Sequence, residues 1–166
     1  GDSPMSTLKV DTIQGKTTAG TVAMPSGMIV QVQTDNLSTL STSSATMASM
    51  GTLAITPKFS SSIILVQVQV HLHCDSYSST DWRAGLLQIK RDTTSLETDE
   101  GKYGDGWVLE DNNDRWMTHI TRVVYDTPST TSAISYGVFA SSLSGRTNTV
   151  WNTYGYGKLH AMEIKQ

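Results

Sequence analysis

The chain has 166 residues, with 12 Lys and Arg against 15 Asp and Glu, for a formal net charge of −3. That length fits one domain, the slightly acidic balance excludes the basic footprint of a nucleic-acid binder, and no apolar run approaches the roughly 20 residues of a membrane-spanning helix. Only 37% of the residues are hydrophobic, yet Ser and Thr together number 44, so the chain is polar without the high net charge of a disordered one.

In chain order, Gly1, Asp2, Ser3 and Pro4 read as a linker remnant, and a natural start falls at Met5. Residues 5–27 form an extended N-terminal arm. Residues 8–14 can alternate as a strand, but the Gly/Thr/Ala stretch that follows is too thin to build a core and needs another surface to pack on. Residues 28–166 form the head domain. Its dominant period is two. Strands are expected over residues 28–34, 52–56, 62–74, 84–92, 107–110, 118–126, 131–140 and 158–165, rich in Thr, Val, Ile and Tyr. The best helix candidate is residues 40–50, rich in Ala and Met but weakened by Ser and Thr.

The clearest strand runs through residues 62–74. Ile64, Val66, Val68, Val70, Leu72 and Cys74 share one face, while Ile63, Leu65, Gln67, Gln69, His71 and His73 share the other. The first face should lie in a core with Ile120, Val124, Ile134, Tyr136 and Val138. Gly- and Pro-bearing turns separate the strands, as at Pro25-Ser26-Gly27 and Thr127-Pro128-Ser129. Together these features predict an all-β fold, an antiparallel β-sandwich of jelly-roll-like type. Cys74 is the only cysteine, so no intrachain disulfide forms and no cysteine cluster holds zinc.

Four patterns bear on chemistry. His71 and His73 put two imidazoles on one strand face, about 6.5–7 Å apart. Three copies around an axis would offer six nitrogens to a transition metal; otherwise the two histidines are ordinary polar groups on a solvated or interface face, and no cofactor is needed. Eight acids between Asp92 and Asp114 suit calcium or simply an exposed, solubilising loop. Aromatic residues gather in loops. Trp82, Tyr154 and Tyr156 suit stacking on sugar rings, with Asp81, Arg83 and Asn152 taking hydroxyl or anionic groups, or the rings cap the core. Trp107 and Trp116 fit the core. Catalysis finds no support: no G-x-S-x-G, P-loop or H-E-x-x-H occurs, and an Asp81 or Asp126 carboxylate pair is no more than any β-protein allows.

The segments Ser6-Thr7-Leu8-Lys9-Val10-Asp11-Thr12-Ile13-Gln14 and Ala23-Met24-Pro25-Ser26-Gly27-Met28-Ile29 resemble segments of bacteriophage tail-fibre and related virion proteins, especially those of marine and cyanobacterial phages. Ile55-Thr56-Pro57-Lys58-Phe59-Ser60-Ser61-Ser62-Ile63-Ile64-Leu65-Val66, Ile89-Lys90-Arg91-Asp92, Asp126-Thr127-Pro128 and Met162-Glu163-Ile164 look like the globular domain often attached to them. The resemblance implies a homotrimeric appendage on the virion, on tail or capsid surface. The arm would meet other virion proteins and the head a host-surface glycan, without nucleic acid, membrane insertion or enzymatic activity. A capsid or tail decoration protein and a glycan depolymerase are the alternatives.

Overall fold

In a computed structural model the structure describes residues 25–75, 85–96, 116–142 and 148–166. Among the described residues ten strands follow in order: β1 (Ile29–Asn36), β2 (Leu40–Thr42), β3 (Ala48–Ile55), β4 (Ile63–Asp75), β5 (Gly85–Arg91), β6 (Thr94–Ser95), β7 (Trp116–Asp126), β8 (Ile134–Ser142), β9 (Asn148–Trp151) and β10 (Lys158–Ile164). All pairings are antiparallel, and the two sheets curl around one core as a half-barrel. The first sheet runs β1-β10-β4-β9-β2, with β7 on the other edge of β4; the second runs β3-β8-β5-β6.

β4 is the spine of the first sheet. Its 13 residues outlast any one neighbour. Ile63–Gln69 pairs with β10, and Leu72–Asp75 pairs with β9. β9 and β10 therefore lie end to end along one edge of β4, and β1 and β2 lie end to end beyond them. The expected alternation holds. Ile64, Val66, Val68, Val70 and Leu72 are buried, and they share the core with Ile134, Tyr136 and Val138, while Ile120 and Val124 pack against it half-buried. Leu87, Ile89, Leu159, Ala161 and Trp151 complete that core. The expected strands at residues 8–14 and 107–110 lie outside the described residues, as does most of the N-terminal arm.

The helix candidate over residues 40–50 is overturned: this stretch forms β2, a turn and the first half of β3. Its hydroxyls explain why. Thr42 Oγ1 accepts from the Ser44 amide at 3.0 Å, and Ser44 Oγ accepts from the Thr46 amide at 3.0 Å. Side chains that satisfy backbone donors locally compete with a helix. A bulge near Ser49 and Gly51 then turns Met50 into the core.

Three polar clasps hold places where strands end or break. Glu163 of β10 is fully buried and accepts from Ser62 Oγ at 2.7 Å, the Lys58 amide at 2.8 Å, the Phe59 amide at 3.1 Å and Gln31 Nε2 at 2.5 Å. Asp126, at the end of β7, accepts two bonds from Arg91 Nη1 at 2.7 and 2.9 Å and one from the Tyr136 hydroxyl at 2.7 Å. That cluster ties the first sheet to β5 and β8 of the second. Asn152 fills the break between β9 and β10. Its Nδ2 donates to Leu37 O at 2.5 Å, its Oδ1 accepts from the Gly157 amide at 2.6 Å, and its own amide donates to His71 O at 2.6 Å.

Candidate functional site

Because alternate residues share a face, the dry face of β4 defines the outer face of the first sheet. In register, Leu65 stands beside Met162 of β10 and Tyr125 of β7, and Val32 of β1 stands beside Met162. Ile63, Ile164 and Ile29 form the next row toward Pro25, and Gln67, His160, Thr34 and Val123 form the row on the other side. Val32 is 51% exposed, Val123 45% and Tyr125 68%. These three rows carry no formal charge. The first charge on the face is Lys158, one row further on, which bonds Asn36.

Each large apolar side chain that stands exposed among the described residues lies on this face or at its margin: Met28, Ile29, Val32, Met117, Val123, Tyr125, Tyr154 and Tyr156. The second sheet differs. Its outward Lys90 ammonium sits 4.8 Å from the Phe139 ring centre and shields it, and Gln88 bonds Ser95. Scattered exposed apolar groups are normal, but a contiguous set on one sheet marks an interaction surface.

The other half of the outer face is chemically distinct. His71 of β4 stands directly opposite His119 of β7, and His73 opposite Met117. The two rings of the first pair have centroids 3.3 Å apart at 64°. Tyr154, on the turn after β9, sets its ring edge-on to His71 at 5.5 Å, and its hydroxyl donates to Met117 Sδ at 3.5 Å. Burial, and then the neighbouring His119, hold His71 below the usual imidazole pKa, so the ring is neutral at physiological pH. Its Nδ1 is buried without a hydrogen-bond partner. A pocket of about 180 Å³ opens beside it, lined by Gln69, Val70, His71, His119, Tyr156 and Gly157.

Of the expected ligand-contacting residues, Tyr154 and Tyr156 are exposed, at 53% and 77%, and both border this end of the face. Asn152 is not available to a ligand. It is 1% exposed, and both polar atoms of its side chain are spent inside the fold. Its backbone takes a positive φ of 56°, a conformation Asn tolerates better than most residues. A Cβ on Gly157 would come within 2.9 Å of the Asn152 side chain, so the turn also requires that glycine. Trp151 is wholly buried and donates to Ser141 O at 3.3 Å. Asp81, Trp82 and Arg83 lie outside the described residues, as do Trp107 and most of the acidic stretch 92–114. Asp126 is committed to Arg91 and Tyr136.

His71 and His73 do share the outer face of β4, as expected. The sequence reading missed His119 and Met117, because the pairing of β4 with β7 spans more than forty residues and only the fold sets its register. No protein-family model matches the chain, and no curated protein matches its sequence.

Proposed function

We propose that this chain is the head of a homotrimeric phage virion appendage, a tail-fibre-like structural protein whose jelly-roll-like sandwich attaches to a host-surface glycan. The observation that carries the reading is the uncharged, apolar half of the outer face. Covering it with like surfaces of other copies removes Ile29, Val32, Val123 and Tyr125 from water without bringing like charges together. A stable interface needs about 800 Å² per partner, and four strands' width of exposed side chains is a suitable platform. The resemblance of the N-terminal and globular segments to phage virion proteins supports the same reading.

The polarity of the fold is consistent with attachment at the opposite end. Pro25 and Gly27 enter beside the apolar rows, where the Gly27 amide donates to Lys165 O. The strand ends at Asp75, Trp116 and Asn148 meet at the other pole, near the histidine-rich half. In this reading other copies cover the apolar rows and leave Tyr154 and Tyr156 for weak sugar contacts that three copies would multiply.

Light scattering on the purified chain tests the assembly. The expected mass is three times the 18.0 kDa protomer. Val123→Lys with Tyr125→Lys should give a folded monomer. A wild-type monomer at micromolar concentration would refute the trimer. Adsorption to host cells tests attachment, and Tyr154→Ala with Tyr156→Ala should abolish it. A trimer that adsorbs to no bacterial surface would make the protein a decoration protein instead.

A further inference from the structure

Two neighbouring antiparallel strands bring four nitrogen or sulfur side chains to one patch. His71 faces His119 across the ladder, and His73 faces Met117. Cross-strand neighbours lie about 4.5–5.5 Å apart at Cβ, close enough for two side chains to meet one ion. The contacts close the patch further. The His71 and His119 rings touch, and the Tyr154 hydroxyl reaches Met117 Sδ.

Three features of the patch point to a ligand. The Nδ1 of His71 is buried and unpartnered, and a buried polar atom ordinarily has a partner. The pocket of about 180 Å³ beside both imidazoles leaves room for solvent or a further ligand. No carboxylate stands in these rows of the ladder, which disfavours calcium or magnesium. Among the described residues no group of three His, Cys, Asp or Glu side chains is placed to hold a metal ion, and Met117 offers a thioether on the same patch as the two imidazoles.

We propose that His71 and His119 form a cross-strand site for one late first-row transition-metal ion, copper or zinc, with Met117 as the adjoining sulfur donor and solvent completing the shell. Imidazole suits copper and zinc alike, while a thioether favours copper(I). The site lies within one protomer, so it stands whether or not the chain forms a trimer.

The test uses the full chain without a histidine tag, stripped by chelator. Zinc(II) and copper(II) are titrated by calorimetry, copper(II) is examined by electron paramagnetic resonance, and copper(I) is measured by competition with a chromophoric chelator. The expected result is one ion per chain, with nitrogen coupling in the copper(II) spectrum. His119→Gln and His71→Gln should each weaken binding at least about tenfold. Met117→Leu should weaken copper(I) by a similar factor and leave zinc(II) nearly unchanged. His160→Gln, on the same face but bonded to Thr34, should change nothing. Circular dichroism confirms that each variant is folded, and the exposed position of His119 keeps that arm informative if His71→Gln is not. Three results would overturn the site: no stoichiometric binding of either metal, unchanged binding in the double His71→Gln/His119→Gln variant, or loss with His73→Gln while His119→Gln retains the ion. Preference between zinc(II) and copper(I) in the wild-type chain identifies the metal.

Discussion

Glu163→Gln probes a wholly buried carboxylate that accepts four hydrogen bonds. Oε1 of Glu163 accepts three hydrogen bonds, from the Lys58 and Phe59 amides and Ser62 Oγ, and Oε2 accepts one from Gln31 Nε2. Burial pushes this carboxyl up, but the bonds from Ser62, Gln31, Phe59 and Lys58 together outweigh it and hold the pKa below the ordinary value. Gln keeps the shape and one acceptor oxygen. It loses the charge that makes such bonds about twice as strong as neutral ones, and its amide nitrogen meets the Gln31 donor. At about 0.5–1 kcal/mol lost per bond over four bonds, the cost is about 2–4 kcal/mol, a large share of a typical stability of about 5–15 kcal/mol.

Urea denaturation at pH 7 measures this as a lower midpoint at an unchanged slope. The pH dependence is the sharper check. A folded pKa below the unfolded value stabilises the native state fully above the unfolded pKa, near 4.3, and that contribution disappears as pH falls through the folded value. The wild type should therefore lose stability below about pH 4.3 more steeply than Glu163→Gln, and the two curves should converge. A constant gap between pH 7 and 3, or a loss at pH 7 under about 1 kcal/mol, would refute the reasoning.

Two further substitutions follow from the other clasps. Asn152→Ala leaves Leu37 O and the Gly157 amide unpaired in the interior and puts a Cβ-bearing residue without a side-chain partner at positive φ. It should cost about 3–5 kcal/mol in chemical denaturation, while Asn152→Gly should recover only the backbone share, about 1 kcal/mol. Tyr136→Phe removes one donor to the Asp126 carboxylate at constant volume and should cost about 1.5–3 kcal/mol. Burial, then the bond to Asp126, push the Tyr136 hydroxyl far above its ordinary pKa, so its ultraviolet ionisation signal should appear only with alkaline unfolding.

Much of the fold was legible because one signal dominated. The alternation from Ile63 to Leu72 identified β4, its dry face and its partners in the core. β2, β6 and β9 escaped because strands of two to four residues carry no measurable period. The site was less legible. Asn152 has the composition of a surface contact, sitting between Trp151 and Tyr154 in a Gly-rich turn, and nothing local says that it fills a break between collinear strands. His71 was visible as half of a pair along its own strand. Its closer neighbour, His119, depended on the register of two strands more than forty residues apart in sequence.

In the proposed trimer the period of two would also separate stability from assembly. Val66, Val68, Val70 and Leu72 hold the protomer together from one face of β4, while Ile63, Leu65 and Gln67 present the other face outward. The clasps at Asp126 and Glu163 likewise spend their charges inward, which leaves the apolar rows without a group to repel a second copy. Charges placed at Val123 and Tyr125 should therefore break association while leaving the inner core intact. The variant's monomer should unfold with the same urea slope per chain at every protein concentration, whereas the wild-type midpoint should rise with concentration, because association adds stability by mass action. A wild-type midpoint independent of concentration would refute self-association through the outer face of the first sheet.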